Sequence, residues 1–426
     1  MTSDDVFFRE WRDRSPGEQR SLSRARALVA QSGLHDVDIP VVTFVGSKGK
    51  GTAATYASAY LAASGLRVVT VTSPSYRSNR ERIRLSGKAI TADELNKLAA
   101  VIDQQAGRLP ARAAHEGYLS PVGLFTLAGV IHARDKDADV LVLEAGRGGH
   151  SDEVSLFPPA VVGMTSIFAE HLGQIGRWID AVALDKAGSI VDTTRSVVSS
   201  PQTPEVWRTI SAAIAARTNG RLEPAVVAPL SSGIPLSLLA TGISQMNSEL
   251  GISAAQRLLD VTTHSRPRAR ELIPVLQSVS IPGRLSWHAV PGTSTEILAD
   301  SAINRAGIAV AITVAQGGWH QVDHVLLCLP DHKDLPGAIV ELADMTVTFV
   351  RLPHDHLRFD RGLPDSWDTV DADDLTRDML ADLGPRLVVV GTVYFVGRVL
   401  DLVQADTECL FTSPDGDPTP AQPRAT

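Results

Sequence analysis

Short β-branched runs alternate with longer stretches whose apolar residues recur at helical spacing, the pattern of βα units around a mostly parallel sheet. VVTFVG from Val41, VVTVTSP from Val68, ADVLVLEAG from Ala138 and AVVGMTSI from Ala160 read as strands. Two intervening helices carry their own start signals. Thr91 and Glu94 form a capping box ahead of an apolar-periodic stretch, and Ser120 is followed by Pro121 in a first helical turn. Beyond residue 200 the pattern predicts a helix from Pro204, a short strand near Val226 and a helix over Asn247 to Leu259. PGRL at Pro282 interrupts. From Glu296 a second βα series follows: EILAD, a helix through Ala315, HVLLCLP, a helix from Leu335, TVTFV, a helix from Asp373, RLVVVGT and a last helix to about Val403. The expectation is an α/β protein of two domains, 1–281 and a smaller 282–410. A disordered tail is expected over 411–426, most of it the Pro-, Asp- and Thr-rich TSPDGDPTPAQPRAT.

Composition narrows the classes. Lys plus Arg number 40 against 48 Asp plus Glu, a net charge of -8, which disfavours the broad basic face that nucleic acid requires. Cys328 and Cys409 are the only cysteines, too few for a disulfide framework or a cysteine-ligated structural metal. The charged N-terminus, MTSDDVFFREWRDRSPGEQR, lacks an apolar signal core. The longest apolar run, Leu387 to Gly397, is about half the ~20 residues of a membrane-spanning helix. A cytoplasmic protein without membrane or nucleic-acid partners is expected.

The strongest chemical signal is the strand VVTFVG running into GSKGKGT, Gly46 to Thr52, ahead of an alanine-rich helix. Glycines let backbone N–H groups converge on an anion, the helix N-terminus adds its positive dipole end, Lys50 can reach terminal phosphates and Thr52 can ligate Mg²⁺. Gly51 separates Lys50 from Thr52, a departure from the GxxxxGK[ST] spacing. Glu144 ends the strand VLVLE before the turn AGRGGHSD, and His171 follows the next strand in SIFAEH. Both positions fall at carboxyl ends of strands, where open α/β sheets place ligands, and the pair suits a divalent cation beside phosphate. Lys186, mid-helix among small and apolar residues, reads on its own as a snorkelling lysine. Arg80, Arg82 and Arg84 could face an acidic substrate from one side of an extended segment. His354 and His356 in PHDH read as surface, and Trp178, Trp287 and Trp319 as packing groups.

Together these segments resemble the Mur ligase superfamily, and most closely its folylpolyglutamate synthase and dihydrofolate synthase branch. GSKGKGT is similar to GTNGKGS, TSPSYRSNRERI from Thr72 to TSPHLxxxNERI, LEAGRGGHSD to LEVGLGGRLD, TSIFAEHLGQIG to TSIGxDHxxxLG and DKAGSIV to EKAGIIK. Further on, ISQMNSELGISAA resembles HQxxNxxxA, IPGRL resembles WPGRL, ADSAINRAG resembles LDGAHNPxG, LPDHKD resembles MxDKD and VVVGTVYFVGRVL resembles CGSLYLVGEVL. The resemblance implies a P-loop-type, mostly parallel ATPase domain followed by a smaller Rossmann-like α/β ligase domain. It implies ATP-dependent amide bond formation, in which a carboxylic acid is activated as an acyl phosphate and joined to an amine, glutamate among the candidates. Carried over by position, Gly46, Gly49, Lys50, Gly51 and Thr52 would hold phosphate, with Asn247 toward adenine, Arg284 toward phosphates and Asp300 toward nucleotide or amine. Thr52, Ser73, Glu144, His171 and Lys186 would serve two Mg²⁺ sites, Lys186 as a carbamate. Lys50, His171 and Lys186 would be the catalytic residues. A monomer or small homo-oligomer is expected.

The departures fall on the substrate side. Ser75 replaces the histidine of TSPH, Ile303 that of GAHN, and Lys48 the asparagine of GTNGK. They leave open an amide ligase of specialised metabolism acting on another acid, or a nucleotide-binding relative without catalysis.

Overall fold

A computed structural model describes residues 2–34, 37–113, 116–169, 178–242, 244–354 and 357–414. Their strands build two sheets. The first contains β1 (Val41–Val45), β2 (Val68–Val71), β3 (Ile83–Leu85), β4 (Lys88–Ala89), β5 (Val140–Glu144), β6 (Val161–Met164), β7 (Ser196–Ser199) and β8 (Ala225–Val226). Its order is β4-β3-β2-β5-β1-β6-β7-β8, parallel from β2 to β8 with an antiparallel edge of β3 and β4.

Every residue of β1 and β5 is buried, which is why VVTFV and VLVLE are continuous apolar runs rather than alternating ones. One face is covered by the helices Ser3–Arg12, Leu22–Gln31, Ala92–Ala106 and Pro121–Asp135. The other carries the helix Lys50–Ala63, itself covered by Ser244–Thr262 and Ala269–Gln277. A helix buried on nearly all sides needs small residues, and KGTAATYASAYLAA supplies them. Gly251 lets the covering helix approach so closely that a Cβ there would overlap the carbonyl of Ala53.

The second sheet contains β9 (Ser286–Ala289), β10 (Glu296–Asp300), β11 (His324–Cys328), β12 (Val347–Arg351), β13 (Asp368–Asp371) and β14 (Arg386–Gly391). Its order is β13-β12-β11-β14-β10-β9, parallel except for β9. Apolar clusters cover both faces.

Three expectations need correction. The helix placed from Asp373 spans Arg377–Asp382, with Thr376 as its cap. Lys186 lies in the last turn of Ile179–Ala187, not mid-helix. The tail placed at 411 begins too early. After the helix Val393–Leu402 the chain returns to the first sheet, where Glu408 and Gly87 accept bonds from Ala89 N–H (2.7 Å) and Leu410 N–H (3.0 Å). Phe411, 1% exposed, closes the apolar layer around Lys50–Ala63, and Thr412 N–H donates to Ser278 Oγ. Residues 415–426 lie outside the described residues. Among the described residues no helix is long and apolar enough to cross a membrane.

Candidate active site

The site assembles at the carboxyl ends of β1, β2, β5 and β6, where the strand order of the first sheet reverses. Gly46 leaves β1 with φ 131°, and a Cβ on it would overlap Thr165 after β6. Gly49, at φ 87°, is the N-cap of Lys50–Ala63 and is pressed against the Asn247 side chain. The cap residue offers this helix no side-chain bond, and in its first turn the Gly51 N–H donates to the Glu144 carboxylate. Lys50 Nζ folds back to donate to the carbonyls of Gly46 (3.0 Å) and Ser47 (3.2 Å). Lys186 Nζ donates to the same Gly46 carbonyl at 2.7 Å from a side chain only 1% exposed. Two ammonium groups therefore meet on one oxygen.

Glu144, 8% exposed, accepts from Ser73 N–H at 2.9 Å, and a Cβ on Gly51 would stand 3.3 Å from its Oε2. Burial pushes this carboxyl above its ordinary pKa, while Lys50, the Ser73 N–H and Arg284 pull it back. Thr52, Ser73, Glu144 and Arg284 line a cavity of about 70 Å³, room for an ion with a few waters. Among the described residues no three His, Cys, Asp or Glu side chains gather to hold a metal. The donors here are one carboxylate and two hydroxyls, hard oxygens of the type Mg²⁺ takes.

From the second sheet, Asp300 ends β10 and accepts from Leu285 N–H at 2.9 Å. Burial raises its carboxyl, opposed by Arg284 and by Lys48 reaching from the glycine loop. Arg284, in the PGRL turn, has its pKa raised above the ordinary guanidinium range, with Asp300 and Glu144 nearby. Lys48, a departure in sequence, thus acquires an acidic counterpart across the gap.

No family model matches the chain. The dihydrofolate synthase/folylpolyglutamate synthase of Mycobacterium tuberculosis is 32% identical over 194 residues, 44% of this chain and 39% of that protein. The folylpolyglutamate synthase of Lacticaseibacillus casei is 31% identical over 170 residues, 40% of this chain and 39% of that one. Alignment with a probable bifunctional folylpolyglutamate synthase/dihydropteroate synthase of Halobacterium salinarum spans 22% of that relative, so each match covers well under half of these proteins. In three dimensions the apo form of L. casei folylpolyglutamate synthase superposes with a TM-score of 0.78 at 21% identity, covering 95% of this chain and 100% of that one. The chain has the folylpolyglutamate synthase fold. A Mycobacterium tuberculosis folylpolyglutamate synthase complexed with ADP agrees, with a TM-score of 0.72 at 22% identity over 95% and 99% of the two chains.

Within this folylpolyglutamate synthase fold, Gly46, Gly49, Lys50, Gly51, Thr52, Ser73, Glu144, Lys186, Asn247, Arg284 and Asp300 converge on one cleft region. His171 lies outside the described residues, as does His356. His354 packs edge-on against Tyr394 at 5.1 Å. The three arginines do not share a face, because Asn79–Arg82 is a single 3-10 turn rather than extended chain. Arg80 pairs with Glu408, Arg82 lies over the Phe125 ring with Nε on Asn79, and Arg84 is buried against the carbonyls of Glu81 and Thr407. Trp287 and Trp319 do pack together at 4.7 Å, but Trp178 is 74% exposed.

Sequence reasoning overlooks three residues. Asp185 accepts from the N–H groups of Gly149 (2.9 Å) and Ser151 (3.1 Å), pinning AGRGGHS beside Lys186. Tyr76 and Glu81 organise the loop after β2. The placement of Asp185 directly before Lys186 and the capping box of Ser78 with Glu81 offered local signals; Tyr76 acts through Gly283 and Ser301, more than 200 residues away.

Proposed function

We propose that this chain is an ATP-dependent amide ligase of the folylpolyglutamate synthase kind, joining glutamate or a similar amine to a folate-type carboxylic acid. The observation that carries it is the meeting of Lys50 and Lys186 on the Gly46 carbonyl beside a cavity lined by Thr52, Ser73, Glu144 and Arg284. Solved folylpolyglutamate synthases include complexes with the ATP analogue AMPPCP and with folate. Residues 1–281 and 282–410 serve as two domains that close on the nucleotide at the Pro282 turn, in the cytoplasm.

The acid's carboxylate attacks the γ-phosphorus and ADP departs. The amine then adds to the acyl phosphate, and the tetrahedral intermediate expels phosphate. Such transfer depends on positioning and on neutralising charge. Lys50 and the uncapped N-terminus of Lys50–Ala63 hold the β- and γ-phosphates, Asn247 borders the nucleotide and Arg284 approaches from the hinge. Asp300 orients the incoming ammonium and accepts the proton whose loss frees the amine lone pair, the second proton leaving as the intermediate expels phosphate. Thr52, Ser73 and Glu144 fit one Mg²⁺, and His171 with a carbamate on Lys186 a second, which when bound would neutralise the phosphoryl oxygens. A carbamate would also turn the repulsion between two ammonium groups into an attraction.

Ser75 and Ile303 favour a second reading, a ligase for another acid. Ser75 Oγ donates to Asn79 Oδ1 (3.2 Å), and Ile303 packs among apolar residues of the second sheet. The test is phosphate and ADP release with ATP, Mg²⁺ and panels of acids, folates included, and amines. Turnover should require both partners of one pair. Tight ATP binding with no turnover for any pair would mark a non-catalytic relative.

A further inference from the structure

The loop from Thr72 to Ser78 belongs by sequence to the first sheet but is gripped by the second half of the chain. Tyr76 Oη donates to the Gly283 carbonyl (3.2 Å) and lies 3.0 Å from Ser301 Oγ, which itself reaches that carbonyl at 3.2 Å. The ring packs so tightly on the PGRL turn that Gly283 has no room for a Cβ, and Gly397 is equally close to the Tyr76 carbonyl. Arg77 bonds Asp401 (3.0 and 2.8 Å) and the Ala405 carbonyl (2.6 Å). Glu81 gathers the N–H groups of Tyr76, Arg77 and Ser78 at 2.9 to 3.1 Å, and Thr407 Oγ1 at 2.8 Å. Burial holds the phenol pKa above its ordinary value, which keeps the Tyr76 proton available for donation.

This loop also carries Ser73, whose N–H sits on Glu144 at 2.9 Å. The motifs TSPHLxxxNERI and LDGAHNPxG have Leu and Gly where this chain has Tyr76 and Ser301. Neither of those residues can make the bond, so the two exchanges belong together. We propose that Tyr76 and Ser301 are a positioning pair whose hydrogen bond at Gly283 clamps the loop to the second sheet and so sets Ser73 and Glu144 for Mg²⁺ and nucleotide. The metal role rests on the ligase reading above; the clamp does not.

The test uses full-length Tyr76→Phe, Ser301→Ala and the double variant. Hydrogen–deuterium exchange of peptides spanning 72–78, read without substrates, should rise about two- to tenfold in each single variant, the range of one hydrogen bond. The double variant should exchange no faster than Tyr76→Phe alone, because Ser301 reaches the loop through the Tyr76 hydroxyl. Calorimetry with AMPPCP should show Mg²⁺ affinity falling by a similar factor in all three, with melting temperature little changed. Unchanged exchange at 72–78, or additive effects in the double variant, overturns the clamp whatever the reaction. Faster exchange with unchanged Mg²⁺ affinity overturns the positioning role. A failed ligase assay leaves the exchange result standing.

Discussion

Two strand-to-helix turns occupy matching places at the carboxyl ends of β1 and β10, and they are built in opposite ways. After β1 the helix Lys50–Ala63 starts from Gly49 in the left-handed region with no side-chain cap, and it is buried on nearly every face. After β10 the helix Arg305–Trp319 starts from Asn304 in extended backbone, whose Oδ1 accepts from Gly307 N–H at 3.0 Å, and its outer face is polar or exposed. At the first terminus the cap residue takes no N–H group and the Glu144 carboxylate accepts from Gly51 N–H; at the second, Asn304 and Asp334 accept from Gly307 and Arg305 N–H, and the turn presents the Asp300 carboxylate. The contrast matches the proposed division of labour, with the anionic phosphates at the first turn and the cationic amine at the second.

The largest break in this comparison should come from the lysines at the open turn. Lys50→Ala and Lys186→Ala should each lower turnover by about 10² to 10³-fold or more, the scale for losing one charge-stabilising group, while circular dichroism stays that of the wild type. Short carboxylic acids added in solution should partly restore the Lys186→Ala variant by standing in for a carbamate. Wild-type rates in that variant would end the carbamate idea.

Legibility follows the same contrast. β1, β5 and β14 are largely apolar runs, and the caps at Thr91 and Ser120 are local, so periodicity and capping chemistry find them. β4 and β13 are short, polar and largely exposed, and β3 and β9 have four residues or fewer, too few for a period. The site divides likewise. The glycine loop is legible because its backbone demands are local, but Lys186 reaches Gly46 across 140 positions, so only the motif resemblance marks it. Phe411 borders a Pro- and Asp-rich stretch, and nothing local shows that Gly87 and Ser280 receive the segment around it.

The second sheet should also respond to acid in a way that its edge strand dictates. His288 on β9 shares a 2.7 Å bond with Ser286, while its Nδ1 is buried with no partner among the described residues. Burial lowers its pKa from 6.5 to about 4. Between those values the unfolded chain binds a proton that the folded one refuses, so stability falls as pH drops through 6.5 and the loss is complete near 4, on the order of 3 kcal/mol at most. Tryptophan emission from Trp287 and Trp319 should shift in that window under mild denaturant. His288→Gln should flatten the pH slope; an unchanged slope would place the acid sensitivity elsewhere.

The smallest effect isolates the cap itself. Asn304→Ala should cost about 1 kcal/mol, Asn304→Gly only a few tenths and Asn304→Ser almost nothing, because the last restores an acceptor for Gly307 N–H. For a chain of this size the alanine change moves the melting temperature by roughly 1 °C, measurable by calorimetry. None of the three should change AMPPCP affinity, since the Asp300 carboxylate beside this turn repels phosphate and Asp334 still takes the Arg305 N–H. A loss of affinity tracking the order Ala, Gly, Ser would show that the second turn also bears on the nucleotide, and the division between an anion-binding and an amine-binding turn would fail.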